Sequence, residues 1–295
     1  MREKRIVVSG GSGDLGRVLA PRLVAAGYAV VSLDPESSAQ PGVESVHGSI
    51  LDRPLVDEVV ASSDLIIHIA AWHGYHAFTN AKTTEEFWDL NMTGTFNLLE
   101  ACARHNKKRF IFISSTSTDE WPEVYGMTKV LGEELCRAYA MRHCMQIIAL
   151  RPRAFIPWWN SKVYSSKQEW ASWFARGAVH IDDVAQSVER ACRLVEDISS
   201  PFFETIEIDG KQDFSAQERE VWLKIGAKQF LAERFPAYAA AIAQATFIPQ
   251  RPPTYKDLTK AKTLLGYEPG YGYEELLNEM RTEIGSAHDN GGSTI

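Results

Sequence analysis

The stretch RIVVSGGSGDLG, residues 5–16, decides the fold, because a short β-branched run leads directly into a glycine-rich turn that opens a helix. Gly10 permits the tight bend, Gly13 lets a pyrophosphate approach the backbone, and Gly16 lets the helix pack closely on the strand. The free N–H groups of the helix N-terminus can then bind phosphates. A glycine-rich β–α turn without a ligand is the alternative interpretation. The predicted cofactor contacts in this turn are Gly10, Ser12, Gly13, Asp14, Leu15 and Gly16.

A carboxylate follows this turn at the distance that a dinucleotide site requires. Asp34 ends the second strand-like run and stands 18 residues beyond Gly16, close to the ~20 expected for the acid that accepts hydrogen bonds from the adenosine ribose. A carboxylate there repels a 2′-phosphate and no Arg follows it, so the sequence predicts NAD rather than NADP. The alternative is a surface acid in the turn before Pro35.

The first half of the chain alternates strand-like and helix-like segments. Continuous apolar runs are typical of strands buried on both faces. Their alternation with amphipathic stretches predicts an α/β fold, a doubly wound parallel sheet of the Rossmann type. Strands are predicted at Arg5–Ser9, Ala29–Leu33, Val43–His47, Leu65–Ala70, Arg109–Ser114 and Gln146–Arg151, and helices at Gly16–Ala26, Glu86–His105 and Tyr125–Arg142.

The second half is less regular and predicts a smaller, mostly helical C-terminal substrate region. A strand and a helix are expected at Val179–Leu194, and the helical region is expected to begin after Ser199-Ser200-Pro201. The end of the chain is rich in Gly, Ser, Asn and Asp, a composition that is typical of a flexible tail. We expect residues 1–155 and 177–209 to form an NAD-binding domain, residues 156–176 and 210–284 a substrate-binding region, and residues 285–295 a flexible tail.

The composition excludes several classes of protein. The 295 residues are 45% hydrophobic and 23% charged, as in a folded globular chain. A net charge of −7 provides no long-range attraction for nucleic acid or an anionic membrane. No segment reaches the ~18 apolar residues of a membrane span, and the N-terminal apolar run is too short for a signal peptide. Four cysteines without Cys-x-x-Cys spacing indicate inert thiols in a reducing cytoplasm.

Acid/base chemistry is indicated by Tyr125 and Lys129, which stand at i and i+4 on one helix face. Lowering a phenol pKa from ~10 to ~7 requires about 4 kcal/mol of preferential phenolate stabilisation. Lys129 and an oxidised nicotinamide ring can provide it jointly. The preceding strand ends in hydroxyls, including Ser115, at the edge where open α/β sheets bind ligands. The alternatives are a helix-surface pair for Tyr125 and Lys129 and a strand-end cap for Ser115.

Together these motifs resemble an extended short-chain dehydrogenase/reductase, of the group called NAD-dependent epimerase/dehydratases. The resemblance spans most of the chain. Further motifs that carry it are His68-Ile69-Ala70-Ala71, Asn91-Met92-Thr93-Gly94-Thr95, Arg151-Pro152, Val179-His180-Ile181-Asp182-Asp183-Val184-Ala185, Asp257-Leu258-Thr259-Lys260-Ala261 and Leu265-Gly266-Tyr267-Glu268-Pro269.

The resemblance implies a role for each matching residue. Ser115 would hold the substrate oxygen, Tyr125 would exchange its proton, and Lys129 would lower the phenol pKa and bind the nicotinamide ribose. The helices that contain Glu86–His105 and Tyr125–Arg142 would form a homodimer. Further implied cofactor contacts are Ser49, Ile50, Ala70, Ala71 and Arg153.

The chain also departs from the family pattern. Relatives commonly carry Asp where this chain has Ser49, so the adenine amino group would be held more weakly or by backbone alone. Nine residues separate Ser115 from Tyr125, where the family usually has a longer loop. Dehydratase relatives place Asp-Glu directly after the catalytic hydroxyl. Here Asp119-Glu120 comes too late to be that motif.

Three residues are predicted to contact substrate besides Ser115. Trp72 and His73 follow the fourth strand, where their side chains can contact substrate hydroxyls by hydrogen bonds and aromatic stacking. Arg251 stands where many relatives bind a diphosphate, and a solvated surface Arg is the alternative. A metal site at His73 and His76 is disfavoured because no further convergent ligand is apparent.

The sequence therefore predicts an NAD-dependent oxidoreductase that acts on a secondary alcohol or ketone of a sugar-like substrate. A nucleotide-sugar epimerase that returns the hydride to its substrate is the first alternative. A non-catalytic dinucleotide sensor is the second.

Overall fold

A seven-stranded parallel sheet forms the framework in the computed structural model, which describes residues 3–37, 39–120 and 123–289. Its strand order is β3-β2-β1-β4-β5-β6-β7, with every neighbouring pair parallel. The order reverses between β1 and β4, the crevice where doubly wound sheets bind nucleotides. The strands are β1 (Arg5–Ser9), β2 (Ala29–Asp34), β3 (Val43–His47), β4 (Leu65–His68), β5 (Arg109–Ile113), β6 (Gln146–Pro152) and β7 (Phe202–Ile208).

Twelve α-helices are assigned within those residues. The first half contains α1 (Asp14–Ala25), α2 (Arg53–Ala61), α3 (Gly74–Phe78), α4 (Thr84–Phe87), α5 (Gly94–Arg104) and α6 (Val124–His143). The second half contains α7 (Lys167–Phe174), α8 (Ile181–Asp197), α9 (Ala216–Ile225), α10 (Ala227–Arg234), α11 (Ala239–Gln244) and α12 (Tyr273–Asp289). Short π-helices occupy Trp88–Thr93 and Ala261–Leu265, and 3₁₀ turns occupy Thr116–Glu120 and Pro236–Tyr238.

The central strands are apolar because helices cover both of their faces. All four residues of β4 are buried, and Ile6, Val7 and Val8 of β1 have no exposed surface. One core cluster joins the sheet residues Val7, Ile66, Phe110 and Ile147 to helix residues that include Leu98, Leu99, Cys136 and Ala140. The continuous apolar runs of the sequence therefore correctly indicated a doubly covered parallel sheet.

Two predictions about the second half were wrong. The expected strand at the start of Val179–Leu194 is absent among the described residues, where α8 alone occupies Ile181–Asp197. A seventh strand, β7, follows Ser199-Ser200-Pro201 directly, where helices were expected. Only one side of β7 pairs, with β6, and most of its residues are half-buried. Its sequence FFETIEI therefore mixes polar with apolar residues and lacks the apolar run that marks the central strands.

The chain divides into two compact units. Unit 1 comprises residues 1–154, 184–208 and 258–267, and unit 2 comprises residues 155–183, 209–257 and 268–295. Residues 177–183 fall in unit 2 and residues 258–267 in unit 1, which differs from the predicted division. An aromatic core fills unit 2, and its members include Trp170, Trp222, Phe230, Phe247 and Tyr273.

The end of the chain is helical beyond the predicted start of the tail. Helix α12 continues to Asp289, five residues into the segment 285–295. Residues 290–295 lie outside the described residues. Across the part of the chain that the structure describes, no helix combines the length and the apolar character that a membrane span requires.

Candidate active site

The glycine turn between β1 and α1 leaves its backbone accessible. Gly10 adopts φ +75°, and a Cβ there would lie 2.7 Å from the Ala70 nitrogen. A Cβ on Gly16 would lie 2.5 Å from the Gly11 Cα, so close packing of α1 on the turn excludes a side chain. A Cβ on Gly13 would lie 3.3 Å from the Gly10 oxygen, a tight contact, and Gly13 itself is exposed. Gly13 is also the N-cap of α1 and supplies no capping side chain.

Asp34 lies beside this turn, as the spacing predicts. Its Oδ2 accepts a hydrogen bond from the Ser12 N–H at 3.1 Å, and its Oδ1 accepts one from the Glu36 N–H at 2.8 Å. An uncapped helix N-terminus and a neighbouring carboxylate match the pyrophosphate and the ribose hydroxyls of a dinucleotide. The residues present therefore fit NAD.

The other predicted cofactor contacts surround the carboxyl ends of the strands. The Ser49 Oγ accepts a hydrogen bond from the Leu51 N–H at 3.2 Å, and Ile50 is buried. The Ala70 N–H donates to the Ser9 oxygen at 3.0 Å, and half-buried Ala71 follows it. The Arg153 N–H donates to the Ile208 oxygen of β7 at 2.9 Å.

Asn97 was not predicted, although it supports this region. Its Nδ2 donates to the Ile50 oxygen at 3.0 Å from a buried position on α5. Its partner is a backbone carbonyl 47 residues away in sequence, which no motif at Asn97 identifies.

Ser115, Tyr125 and Lys129 come together at the end of β5. The Ser115 hydroxyl forms a hydrogen bond with the Tyr125 side chain. Tyr125 lies in the first turn of α6, where the N-cap Glu123 accepts hydrogen bonds from the Tyr125 and Gly126 N–H groups. The Lys129 ammonium donates to the Ile113 oxygen at 2.7 Å and lies 5.7 Å from the centroid of the Tyr125 ring.

Burial shifts both titratable groups toward their neutral forms. It raises the pKa of Tyr125 to about 12, against a lowering effect of the Ser115 hydrogen bond. It lowers the pKa of Lys129 to about 8, and the charge of Glu133 opposes that shift. That Lys129, together with bound oxidised nicotinamide, lowers the phenol pKa stays a prediction.

Next to Lys129, Glu133 forms a buried charge cluster that was not predicted. Arg151 of β6 binds Glu133 through two hydrogen bonds, Nε to Oε1 at 2.8 Å and Nη2 to Oε2 at 2.6 Å. The Ser114 hydroxyl donates to the same carboxylate. Glu133 follows Lys129 by one helical turn, so the sequence spacing indicated a neighbour but not its partner on β6.

Asn91, part of the Asn91-Met92-Thr93-Gly94-Thr95 motif, connects two parts of the site. Its Oδ1 accepts from the Trp72 N–H at 2.8 Å, and its Nδ2 lies 3.0 Å from both the Trp72 oxygen and the Thr128 Oγ1. Asn91 therefore fixes the loop that follows β4 relative to α6, the helix that carries Tyr125.

Trp72 and His73, the predicted substrate contacts of unit 1, are half-buried beside Tyr125. A Cβ on the next residue, Gly74, would lie 3.4 Å from the Tyr125 Cδ1. The Lys82 ammonium lies 4.3 Å from the centroid of the Trp72 ring. Arg251 is exposed in unit 2, and its contact with substrate stays a prediction. No group of three or more potential metal ligands is found among the described residues.

The depressed pKa of Lys129 predicts a specific pH dependence of stability. The pKa rises from about 8 in the folded protein to 10.5 in the unfolded chain, so the unfolded chain binds more protons across that interval. Stability therefore increases with pH there. We expect wild type to gain about 3 kcal/mol relative to Lys129→Met between pH 7 and pH 10.5, measured by urea denaturation. The exposed control Lys224→Met should run parallel to wild type, and a flat difference for Lys129→Met would contradict the prediction.

Comparison with known proteins decides the family. Residues 6–201, about two thirds of the chain, match the NAD dependent epimerase/dehydratase family. The chain belongs to this family. Membership confirms the predicted resemblance, the Rossmann fold, NAD as the cofactor and the assignment as an enzyme. The catalytic and cofactor-binding residues of this epimerase/dehydratase family member stay predictions.

Individual relatives of this family member differ in reaction. An uncharacterized protein of Sinorhizobium fredii, y4nG, is 26% identical over 94% of this chain and 77% of its own length. The uronate dehydrogenase of Pseudomonas putida is 31% identical over 52% of this chain and 62% of its own length. The structure of UDP-glucuronic acid 4-epimerase from Bacillus cereus with NAD aligns with a TM-score of 0.68 at 20% identity, covering 96% of this chain and 99% of that one. At that identity the likeness extends to the fold alone.

Proposed function

We propose that this family member is an NAD-dependent oxidoreductase that interconverts a secondary alcohol and a ketone on a sugar or nucleotide-sugar-like substrate. The observation that supports this most is the contact between Tyr125 and Ser115, with Lys129 one turn further along α6. A phenol that is hydrogen-bonded to a hydroxyl at the carboxyl edge of the sheet lies where ligands bind in this fold. Such a pair can position and deprotonate an alcohol.

The mechanism assigns one role to each of the three side chains. Oxidised NAD, when bound, supplies a hydride acceptor and a positive charge. Ser115 donates a hydrogen bond that fixes the substrate oxygen, and Tyr125 as the phenolate accepts the hydroxyl proton while the C–H bond breaks and the C=O bond forms. Lys129 stabilises the phenolate by its charge. Because burial, the largest influence, raises the pKa of Tyr125 to about 12, added positive charge would favour the phenolate near neutral pH.

A sugar-like substrate is supported by the chemistry of the relatives. The Pseudomonas putida enzyme is a uronate dehydrogenase, and the Bacillus cereus enzyme is a UDP-glucuronic acid 4-epimerase. Both names denote a sugar that carries a carboxylate, without a nucleotide in the first and with one in the second. For this chain we propose Trp72, His73, Ser115 and Arg251 as substrate contacts.

Two alternatives differ in what becomes of the hydride. If the ketone leaves, NADH accumulates and the enzyme is a dehydrogenase. If the ketone takes the hydride back on its other face, an epimer forms without net NADH. A dinucleotide sensor would bind NAD and turn nothing over, and the intact Tyr125 and Lys129 disfavour this alternative.

The test is a panel of free sugars, uronates and nucleotide-sugars incubated with the purified protein and NAD. We expect NADH, followed by its absorbance, to appear in stoichiometric amounts with at least one member. Isomer formation detected by chromatography without NADH would establish the epimerase. NAD binding without either product across the panel would contradict the proposal and support the sensor.

We also propose a homodimer that uses α5 and α6. Both helices carry exposed apolar side chains, and three of them, Phe96, Leu131 and Met141, are 37%, 37% and 55% exposed. Large apolar side chains that are exposed on two neighbouring helices favour association with a partner.

A further inference from the structure

Two histidines in the loop after β4 are held by hydrogen bonds to backbone amides. His73 is the N-cap of α3, and its Nδ1 accepts from the Tyr75 N–H at 3.4 Å. The His76 Nδ1 accepts from the His73 N–H at 3.2 Å. The two rings lie 4.3 Å apart between centroids in an edge-to-face arrangement. The loop therefore has a fixed conformation, and the orientation of each imidazole is defined.

These contacts determine the tautomer of His73. A nitrogen that accepts from an amide carries no hydrogen, so the ring hydrogen of the neutral imidazole is on the other nitrogen, Nε2. Burial, together with the positive charges of His76 and Lys129, lowers the pKa of His73 to about 4. Near neutral pH, His73 is therefore an uncharged donor at Nε2 and is poorly suited to remove a proton.

The backbone that carries His73 lies next to the Tyr125 ring. Gly74, the neighbour of His73, packs on the Tyr125 ring so closely that a Cβ would lie 3.4 Å from Cδ1 and 3.7 Å from Cε1. The preceding residue, Trp72, is bound through its backbone by Asn91, which also contacts Thr128 of α6. The neighbours of His73 on both sides, Trp72 and Gly74, thus link it to α6, the helix that carries Tyr125. Within the described residues, no side chain or carbonyl accepts from the His73 Nε2.

The cations nearest this loop already have partners within the protein. The Lys82 ammonium over the Trp72 ring forms an ion pair with Glu86 at 2.8 Å. Lys129 is buried, donates to the Ile113 oxygen and shares Glu133 as a countercharge with Arg151. With these cations engaged, the uncharged His73 donor suits an uncharged hydroxyl better than a phosphate, which calls for charged donors.

We infer that His73 is a specificity-determining residue whose Nε2–H donates a hydrogen bond to a hydroxyl on the carbon next to the reacting one. The inference rests on the proposed function and narrows its substrate to vicinal diols, as in a sugar ring. A site that donates to a substrate hydroxyl rejects the analogue without it, because the donor is then left unpaired. A simple secondary alcohol without a neighbouring hydroxyl would be a poor substrate.

The test compares two variants on matched substrates. The probes are the sugar of the panel that turns over and its two monodeoxy analogues, each lacking one hydroxyl adjacent to the reacting carbon. For wild type, one of the analogues should lose about tenfold to hundredfold in kcat/KM. His73→Phe should lose a similar factor with the parent sugar and lose almost nothing further with that analogue. The Kd for NADH, measured by fluorescence, should stay unchanged in the variant.

His73→Asn is the control for the capping role. Asn is a strong N-cap, so it should preserve α3, whereas its amide is too short to place a donor where Nε2 lies. We expect its melting temperature to match wild type and its substrate discrimination to match His73→Phe. If His73→Asn kept the wild-type kcat/KM and the wild-type discrimination between the parent sugar and its deoxy analogue, His73 would act only as an N-cap. That result would overturn the inference.

A spectroscopic measurement tests the tautomer without any substrate. In protein labelled with ¹⁵N-histidine, the two ring nitrogens of His73 have distinct chemical shifts according to which one carries hydrogen. A protonated Nδ1 in neutral solution would overturn the inference. Equal discrimination by wild type and His73→Phe, with turnover intact, would overturn it while leaving the proposed function standing. Absence of turnover across the whole panel would instead overturn the proposed function.

Discussion

Tyr125→Phe should lower kcat for alcohol oxidation by roughly 10² to 10⁴, the range that a positioned general acid/base contributes. The substitution removes one oxygen and preserves the ring that packs against Gly74. NAD binding should persist because Asp34 and the glycine turn are unaffected. The measurement is a steady-state rate profile against pH. The wild-type oxidation rate should rise with pH as the phenol ionises, and the residual rate of the variant should be nearly flat.

Tyr28→Phe is the matched control for this result. Burial also raises the pKa of Tyr28 to about 12, but Tyr28 interacts with Glu196 and not with the Ser115 site. Its loss should leave kcat unchanged. A Tyr125→Phe enzyme with wild-type kcat and a wild-type pH profile would show that the proton is removed by another group.

Glu133→Gln should cost about 3–5 kcal/mol in the free energy of unfolding, as breaking a buried ion pair usually does. The carboxylate is 4% exposed and accepts two hydrogen bonds from Arg151 and one from Ser114. The Gln amide has the same shape, but one acceptor oxygen becomes an NH₂ donor. That donor then faces the guanidinium of Arg151 or the hydroxyl of Ser114, which are donors themselves. The change also leaves the positive charges of Arg151 and Lys129 without compensation. The measurement is chemical denaturation at pH 7.

The adjacent residue provides the control. Glu134 forms an exposed ion pair with Arg137, so Glu134→Gln should change stability by less than about 1 kcal/mol. The double variant Glu133→Gln with Arg151→Met removes both charges of the pair and should be less destabilised than Glu133→Gln alone. Additive losses in the double variant would mean that the pair is not coupled.

Sequence patterns predicted the central sheet because burial on both faces leaves a strong signal. Strands β1, β2, β4, β5 and β6 coincide with apolar runs bounded by turns, although β4 ends two residues before the predicted Ala70. The two edge strands lack that signal because they are partly exposed: β3 was predicted although its sequence VESVH is mostly polar, and β7 was not predicted. The regular helix expected at Glu86–His105 is also interrupted, because residues 88–93 form a π-helix.

The candidate site divides along a similar line. Residues whose placement depends on local spacing, such as Tyr125, Lys129 and Asp34, lie where the sequence predicted, and their roles stay predictions. Glu133, Asn91 and Asn97 could not, because their partners are distant in sequence: Arg151, Trp72 and Ile50. The direction of the pKa shifts of Tyr125 and Lys129 could not be predicted from the sequence either, because burial is its largest cause.

The wide helical turn at Trp88–Thr93 allows one long helical segment to contact two different parts of the protein. Asn91 and Leu98 are seven residues apart and would share a face in a straight α-helix. Each i→i+5 turn contains one more residue than an α-helical turn. The residues that follow it therefore lie at a different angle around the helix axis than they would in a regular α-helix. Asn91 can then reach Trp72 and Thr128, while Leu98 joins the core of the sheet. A homologue without this local unwinding would have to anchor its post-β4 loop by other means, so loop shape and helix pitch should vary together among relatives.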